Sequence, residues 1–246
     1  MRFDVTHTDV RSEKLHIPIT VVQISDLHDA KFGESQARLI EAICTEKPDL
    51  IACTGDLFNR KDASAYQNVF DLIERLVPVA PVYAVEGNHE ISLGKAGERY
   101  MDMLRQKGVM LLRNEAVTLS GIRLIGLKQK EEKAALAALT EKSAFNLVLC
   151  HRPELFSMYC TTDADLILCG HAHGGQVRFG SVSLYAPQQG IFPRFTSGLY
   201  EQSGTRMYVS RGLGNTIPFP RVFNRPELAV LRLLPKAYVV KGSNEA

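Results

Sequence analysis

The 246-residue sequence predicts a layered α/β domain, and three observations support that fold class. Short apolar runs of strand length alternate with segments of helical period over the first two-thirds of the chain. The sequence contains no internal repeat and no low-complexity linker that would divide it. Its hydrophobic fraction of 45% is sufficient for one large core. We therefore predict a single domain over residues 1–246.

Seven apolar runs before Gly174 have the length and composition of buried strands. They cover residues 17–24, 50–53, 82–85, 109–112, 122–127, 145–150 and 166–169. After Gly174 the predicted strands are shorter, and glycine and proline separate them. These later strands cover residues 182–185, 207–210 and 228–234.

Helices are predicted between the strands from apolar stripes of helical spacing. The stripes are Leu39, Ile40, Ile43 and Cys44; Val69, Leu72, Ile73 and Leu76; and, more weakly, Tyr100, Met103 and Leu104. Pro48 ends the first of these helices. The alanine-rich segment 131–142 favours a further helix, and a short helix is predicted near residues 153–159.

Charge is distributed unevenly along the chain, although the overall net charge is only +2. From Gly174 onward the chain has nine basic and three acidic residues, a net charge of +6, whereas the preceding residues carry −4. A basic C-terminal block of this kind favours contact with an anionic partner. Dense basic runs are missing, so we predict no nucleic-acid-binding module.

The sequence predicts neither a membrane span nor a signal peptide. No stretch approaches about 18 uninterrupted apolar residues, and Met1-Arg2-Phe3-Asp4 leads into no hydrophobic run. The five cysteines form no Cys-x-x-Cys pair, which indicates buried thiols in a reducing compartment rather than disulfides. We expect a cytoplasmic protein, with peripheral contact to the inner face of a membrane as an open alternative.

Polar residues follow five of the predicted strands at the point where each strand ends. The sequences there are Asp26-Leu27-His28, Gly55-Asp56, Gly87-Asn88-His89-Glu90, His151 and Gly170-His171-Ala172-His173. Carboxyl ends of strands in open α/β sheets converge on one crevice, so these side chains are expected to meet. Five of the seven histidines lie at these strand ends, whereas His7 and His16 lie elsewhere and are interpreted as surface residues.

The side chains expected to meet there suit two metal ions better than one. Oxygen and imidazole donors without thiolate suit Mn²⁺, Fe²⁺ or Zn²⁺. Seven donors exceed what one tetrahedral site can use, whereas two ions that share a carboxylate use them all. Two divalent ions, two aspartates and a hydroxide leave a net charge of about +1, which attracts a phosphate. The predicted ligands are Asp26, His28, Asp56, Asn88, His151, His171 and His173.

In their order, these five blocks resemble the signature of the calcineurin-like metallophosphoesterases, and the resemblance covers residue 19 to about residue 234. It implies a double β-sheet sandwich flanked by helices, with a dinuclear site at one edge. It also implies that Asp56 bridges the metals, that a metal-bound hydroxide attacks phosphorus and that His89 protonates the leaving oxygen. The implied ligand sets are Asp26, His28, Asp56 and His173 for one metal and Asp56, Asn88, His151 and His171 for the other.

One position departs from the family pattern. Many relatives have aspartate after the proton-donating histidine, whereas this chain has Glu90. We interpret Glu86 and Glu90 either as carboxylates that orient His89 or as solvent-facing residues at the strand end.

The C-terminal part is similar to a bacterial branch that is often found near membranes and includes phosphodiesterases. Segments 191–195 and 217–223 each combine aromatics, prolines and an arginine. They are interpreted either as ordered loops on the sheet edge or as an apolar rim that touches a lipid or an anionic membrane. Arg60, Arg194 and Arg221 are the candidate substrate-binding residues.

The leading hypothesis is a monomeric, dinuclear metal-dependent phosphoesterase that hydrolyses phosphodiester or related phosphate ester bonds. A lipid pyrophosphatase of the UDP-diacylglucosamine type would share the site and differ in having an acyl pocket. The alternative of another class is a non-catalytic scaffold on the same fold. Such scaffolds tend to lose ligands, whereas every ligand position is filled here.

Overall fold

The computed structural model describes residues 2–59, 66–130, 132–180, 182–186, 189–215 and 220–238. Within these ranges, two six-stranded sheets pack against each other and helices cover their outer faces. The strands are β1 (Asp4–Ser12), β2 (Ile19–Ile24), β3 (Leu50–Cys53), β4 (Val82–Ala84), β5 (Met110–Leu111), β6 (Glu115–Leu119), β7 (Ile122–Gly126), β8 (Phe145–Leu149), β9 (Leu166–Cys169), β10 (Arg178–Phe179), β11 (Val182–Ser183), β12 (Tyr185–Ala186), β13 (Gly190–Ile191), β14 (Gly198–Gln202), β15 (Thr205–Val209) and β16 (Glu227–Pro235).

All but one of the described helices lie where the sequence predicts a helix, and the exception is Asn88–Ser92. The helices are α1 (Ala37–Thr45), α2 (Gln67–Leu76), α3 (Asn88–Ser92), α4 (Lys95–Gln106), α5 (Glu132–Leu139) and α6 (Phe156–Tyr159), with 3₁₀ turns at Glu34–Gln36 and Pro153–Leu155. The apolar stripe of α2 faces the core, as predicted. In α1 the residues Leu39, Ile40 and Ile43 are buried, whereas the prediction was wrong at Cys44, which is exposed. In α4 the prediction was wrong at Met103, which is 38% exposed. Met101 is buried instead, because it lies one turn after Gly97 on the inward face of this helix.

The first sheet has the strand order β1-β16-β2-β3-β4-β5. Strands β2 to β5 run parallel, β16 runs antiparallel to β2, and β1 pairs in parallel with β16 at the edge. The second sheet has the order β14-β15-β9-β8-β7-β6. Its four inner strands are parallel, and its two outer strands run antiparallel to their neighbours.

Three apolar layers hold this sandwich together. Between the sheets, one buried cluster joins Leu50 of β3 to Leu147 of β8 and Leu166 of β9. A second cluster packs α1, α2 and α4 on the outer face of the first sheet, and a third packs α5 and α6 on the second. Burial of one such leucine contributes about 1.5–3 kcal/mol relative to exposure. The double-sheet sandwich flanked by helices is therefore confirmed.

The strands that the sequence did not predict include three at the outer edges of the sheets, namely β1, β6 and β14. β1 reads Asp-Val-Thr-His-Thr-Asp-Val-Arg-Ser and has only two apolar residues, so it has no apolar run. Gly121 lies in the turn that joins β6 to β7. Strands paired on one side tolerate such mixed polarity because one of their edges faces solvent.

The described helices include none that is long and apolar enough to cross a membrane. Cys53, Cys150 and Cys169 are buried, as predicted, and Cys44 is exposed. His7 and His16 lie on the surface, where His7 pairs with Glu46.

Candidate metal centre

Five loops bring all seven predicted ligands and His89 together at one edge of the sandwich. Asp26 and His28 follow β2, Asp56 follows β3, and Asn88 begins α3 just after β4. The second sheet provides His151 after β8 and both His171 and His173 after β9. These positions follow directly from the parallel strands, whose carboxyl ends share an edge.

Five of these residues have a left-handed backbone that non-glycine residues rarely adopt. Their φ angles are 49° at Asp26, 46° at His28, 54° at Asp56, 70° at His171 and 48° at His173. Each such conformation costs of the order of 1–3 kcal/mol, and it persists only where the surrounding structure enforces it. Such strain clusters at functional sites, so the backbone independently indicates one here.

The first ligand group consists of Asp26, His28, His173 and Asp56. The Nε2 atoms of His28 and His173 lie 3.2 Å apart. Asp26 Oδ1 lies 3.5 Å from His173 Nε2 and 3.9 Å from His28 Nε2. Asp56 Oδ2 lies 3.9 Å from His28 Nε2. Two imidazole nitrogens and two carboxylate oxygens therefore face a common centre.

The second ligand group consists of Asp56, Asn88, His151 and His171. His151 Nε2 lies 3.2 Å from Asp56 Oδ2, 3.1 Å from Asn88 Oδ1 and 3.1 Å from His171 Nδ1. The other ring nitrogen of His151, Nδ1, lies 2.8 Å from the carbonyl oxygen of Thr54 and donates to it. In a neutral His151 the Nε2 atom therefore carries a lone pair, which points toward the three electron-rich atoms just named.

This crowding of acceptor atoms fits a cation. Acceptors 3.1–3.2 Å apart with no hydrogen between them repel one another, and a positive ion between them removes the repulsion. Although burial lowers the pKa of His151, the charge of Asp56 beside it outweighs that effect and raises the pKa to about 10. A proton on Nε2 thus takes the place that a metal would occupy, and the donor set suits Mn²⁺, Fe²⁺ or Zn²⁺.

The other ligating histidines are held in the neutral form that metal binding requires. Burial lowers the pKa of His28 and of His173 to about 3, and that of His171 to about 2. Asp56 stays ionised, because His151 beside it holds its pKa well below the usual range even though burial acts in the opposite direction. At neutral pH these three imidazoles are therefore uncharged and Asp56 is a carboxylate, whereas His151 carries the proton that a metal would replace.

Asp56 uses its two oxygens differently. Oδ1 accepts a hydrogen bond from the backbone N–H of His89 at 2.8 Å, which fixes the carboxylate. Oδ2 points to the space between the two ligand groups and lies within 4.0 Å of His28, His89 and His151. Among the described residues, this oxygen is the carboxylate atom that faces both groups.

His89 lies beside the centre and is partly open to solvent. Its side chain is 18% exposed, and Nε2 lies 4.0 Å from Asp56 Oδ2. Nδ1 donates to the carbonyl oxygen of Asn59 at 2.9 Å. This bond sets the ring orientation and leaves Nε2 directed toward the ligands.

Glu90 and Glu86 are both buried, so their interpretation as solvent-facing residues was wrong. Glu90 accepts the backbone N–H groups of Asp56 and Gly87 through Oε2 and that of Phe58 through Oε1, at 2.7–3.1 Å. It therefore joins the loops after β3 and β4 and does not bond the His89 ring. Glu86 forms a bidentate ion pair with Arg113, at 2.7 and 3.0 Å.

Two glycines allow the ligand loops to approach. A Cβ atom at Gly87 would lie 2.0 Å from Asp56 Oδ1, and one at Gly170 would lie 1.9 Å from Ser25 Oγ. No side chain fits at such distances, so glycine at these positions sets the spacing of the loops.

The three arginines proposed to bind substrate have different environments. Arg60 lies outside the described residues. Arg194 stacks on Phe195, with 5.0 Å from its guanidinium carbon to the ring centre, and lines a separate surface cavity of about 450 Å³. Arg221 reaches the centre, where its Nη2 lies 3.1 Å from His173 Nδ1. Because a guanidinium only donates, this contact favours the His173 proton on Nε2, so a metal there has to displace that proton.

Several supporting residues escaped the sequence analysis. Ser25 donates to Asp26 Oδ2 at 2.7 Å, and Gln23 bonds Thr54 Oγ1 and the Cys169 carbonyl oxygen across the two sheets. A glutamine within the apolar run of β2 was the available signal for this bridge. Asn59 acts through its backbone carbonyl, so its side chain gave no signal.

Known proteins with a similar sequence belong to a family of metal-dependent phosphoesterases. Residues 19–175 match the family model of the calcineurin-like phosphoesterases. The chain belongs to that family. A metallophosphoesterase of Campylobacter jejuni is 31% identical over 95% of this chain and 64% of its own length. This chain thus spans less than two-thirds of that relative. The phosphodiesterase YaeI of Escherichia coli is 28% identical over 88% of this chain and 83% of its own length.

Solved structures of calcineurin-like phosphoesterase fold share the architecture at low sequence identity. A 5'-nucleotidase precursor from Thermus thermophilus has a TM-score of 0.53 and 15% identity over 89% of this chain and 54% of its own. A dimetal phosphatase from Danio rerio has a TM-score of 0.52 and 13% identity over 79% of this chain and 87% of its own. The family model thus places the chain among the calcineurin-like phosphoesterases, and these structures show the fold alone.

Proposed function

We propose that this metallophosphoesterase hydrolyses phosphodiester or closely related phosphate ester bonds with two divalent metal ions. The observation that carries the proposal is the position of Asp56 Oδ2, which faces His28 of the first ligand group and His151 of the second. A carboxylate oxygen that faces both ligand groups would allow two ions to be bound close to each other. Asp26, His28, Asp56 and His173 would hold one ion, and Asp56, Asn88, His151 and His171 the other.

Ions bound there would supply Lewis acidity toward the phosphoryl oxygens and would lower the pKa of a water near them. The chain's own residues orient this chemistry. Asp56 is fixed through Oδ1 by the His89 N–H, and Asp26 is fixed by Ser25 and by the backbone N–H of His171. Rotation of either carboxylate is thereby restricted before any ligand binds.

His89 is the proposed acid for the leaving oxygen. Its Nδ1–H is committed to the Asn59 carbonyl, so a proton to be given away has to sit on Nε2, the atom that faces the ligands. Loss of that proton returns His89 to the neutral form that the Asn59 bond stabilises. Its partial exposure allows the proton to be replaced from solvent.

The proposal of a diester substrate rests on the likeness to the Escherichia coli phosphodiesterase. A lipid pyrophosphatase of the UDP-diacylglucosamine type is the second candidate. The observation in its favour is the cavity lined by Arg178, Phe192, Arg194 and Tyr200, which combines two cations with apolar walls. The scaffold alternative has less support, because all seven ligand positions are filled and grouped.

The test is hydrolysis of bis-p-nitrophenyl phosphate by purified protein before and after chelation. We expect chelator to abolish turnover and Mn²⁺ to restore it, with Fe²⁺ and Zn²⁺ compared under the same conditions. A parallel assay with a diacylated nucleotide-sugar substrate separates the two enzyme candidates by their ratio of kcat/KM. Turnover that survives complete removal of metal would contradict the proposal.

A further inference from the structure

Among the described residues, the most exposed apolar side chains lie in one region. We call this set the aromatic rim, and its members with their exposed fractions are Phe179 (60%), Val182 (52%), Ile191 (76%), Phe192 (70%) and Phe223 (78%). Elsewhere in the described part of the chain, the largest exposure of such a residue is 51%, at Ile17. Single exposed apolar residues are ordinary, whereas a group of this size in one region marks an interaction surface.

Backbone hydrogen bonds hold the aromatic rim in place. The β10–β11 and β12–β13 hairpins and residues 220–223 are connected by the bonds Arg178 N–H to Val222 O and Phe192 N–H to Leu184 O, both at 3.0 Å. The rings of Phe179 and Phe223 lie 5.8 Å apart. The exposed aromatics are therefore part of an ordered surface rather than a frayed end.

Two rim residues have a strained backbone. Phe192 has a φ angle of 53° and Phe223 one of 52°. A bulky residue with positive φ is a genuine outlier, and such strain is retained where it serves a function. A Cβ atom added at Gly180 or Gly190 would meet no atom within 4 Å, so there is open space beside the backbone at both positions.

Two arginines adjoin the rim. Of the six arginines between Gly174 and Arg225, Arg211 and Arg225 pair with Asp4, whereas the described residues form no ion pair with Arg178 or Arg194. Arg178 and Arg194 line the cavity that adjoins Val182 and Phe192. Aromatic rings next to arginines match the boundary of a bilayer, where rings enter the headgroup region and guanidinium groups bind lipid phosphates.

We propose that the aromatic rim and its neighbouring arginines form a docking surface for an anionic lipid bilayer. A second copy of this chain fits less well, because a twofold contact would place one basic surface against the same surface of the other copy. The rim adjoins the metal centre, since Arg178 donates to the carbonyl oxygen of Gly174, the residue after His173. Docking would therefore bring the centre close to the membrane surface.

The test is sedimentation with vesicles of phosphatidylglycerol and phosphatidylcholine, compared with vesicles of phosphatidylcholine alone. Chelator is present throughout, so binding through bridging metal ions is removed and the result does not depend on catalysis. We expect binding to the anionic vesicles that weakens as salt is added. Replacement of Arg194 by Gln should lower the partition coefficient about fivefold.

The decisive variant is the pair Phe192→Ser and Phe223→Ser, which should lower the partition coefficient at least about tenfold. Its matched control is the pair Ile17→Ser and Val79→Ser, two exposed apolar residues outside the rim, which should bind like the unmodified protein. Circular dichroism and the thermal midpoint establish that each variant is folded.

Three results would overturn the proposal. The first is no binding to anionic vesicles at low salt, and the second is equal binding by the rim variant. The third is a concentration-dependent dimer in analytical ultracentrifugation that the rim variant abolishes, because a second copy would then occupy the surface.

Discussion

The two sheets contribute different chemistry to the metal centre. The first sheet provides every oxygen ligand, through Asp26, Asp56 and Asn88, together with one imidazole. The second sheet provides only imidazoles, through His151, His171 and His173. In the proposed centre, the first sheet would thus bring the negative charge that attracts metal ions, and the second would complete the coordination without neutralising them further.

Each sheet also orients the ligands of the other. Asp26 of the first sheet accepts the backbone N–H of His171 from the second, at 3.1 Å to both oxygens. His151 of the second sheet donates to the carbonyl oxygen of Thr54 from the first at 2.8 Å. The comparison teaches that neither sheet alone can form the centre, because each depends on backbone groups of its partner.

The largest loss of activity is expected for Asp56→Ala, because the Asp56 carboxylate faces both ligand groups. We expect kcat/KM for bis-p-nitrophenyl phosphate to fall by at least about 10³-fold and the metal content to fall below one ion per chain. Elemental analysis after dialysis measures the second quantity. Two retained ions with activity within tenfold of the unmodified protein would contradict the shared role of Asp56.

The variants His173→Ala and His151→Ala test the two ligand groups one at a time. Each should remove one ion and leave the other, with a fall in turnover of about 10²–10³-fold. Metal content and turnover are measured as for Asp56→Ala. Loss of both ions in both variants would show that the groups do not bind independently, and His16→Ala on the surface is the control.

His89→Asn tests a residue that faces the centre without belonging to either ligand group. Turnover should fall by about 10²-fold or more while two ions remain bound. If His89 protonates the leaving oxygen, the loss should be larger for an alkyl ester than for a p-nitrophenyl ester, because p-nitrophenolate leaves without protonation. An equal loss for both esters would argue against the acid role.

Glu90→Gln weakens the hydrogen bonds that hold the loops after β3 and β4 together. Glu90 accepts three backbone N–H groups from the loops that carry Asp56 and Asn88, so we expect about a 10–100-fold loss of metal affinity or turnover. Glu98→Gln, at the exposed end of the Arg113 ion-pair network, is the matched control and should have little effect. Titration with Mn²⁺ measures the change, and identical affinities for both variants would count against a positioning role.

The smallest expected effect is the pH dependence of the free energy of unfolding of the metal-free protein. Burial lowers the pKa of His28 and His173 to about 3, whereas the unfolded chain binds protons near pH 6.5. Stability should therefore fall as the pH drops below about 6.5, by up to about 1.4 kcal/mol per pH unit for each such histidine. His151 acts oppositely, since its raised pKa gives a contribution that is complete below pH 6.5 and lost as the pH approaches about 10.

Urea unfolding in chelator at several pH values measures this dependence. His28→Asn should make the decline below pH 6.5 shallower, and the exposed His16→Asn should leave it unchanged. Equal slopes for the unmodified protein and His28→Asn would show that the folded state does protonate these imidazoles.

The sequence allowed the inner strands and the ligand set to be predicted because both have local signals. Apolar runs such as Leu50–Cys53 and Leu166–Cys169 end on polar residues of unusual type, and the structure has these two strands over the same residues. Edge strands such as β1 have no such signal, because one side lacks a neighbour and tolerates polar residues.

The contacts that orient the ligands could not be predicted, because they depend on backbone groups. The carbonyl oxygens of Thr54 and Asn59 act regardless of their side chains, and the partners of these atoms are distant in sequence. Glu90 has the same character, since three backbone N–H groups from two loops define its position. Side-chain type indicates what a residue can do, whereas its orientation emerges only when the sheets pack.

The bare backbone at Gly170 limits which residue can occupy that position. Even a methyl group at position 170 would have to open the seam between the halves of the molecule, since it would overlap Ser25 and Asp26. A side chain at position 170 would therefore disturb the contact between the two sheets without replacing any of the proposed ligands.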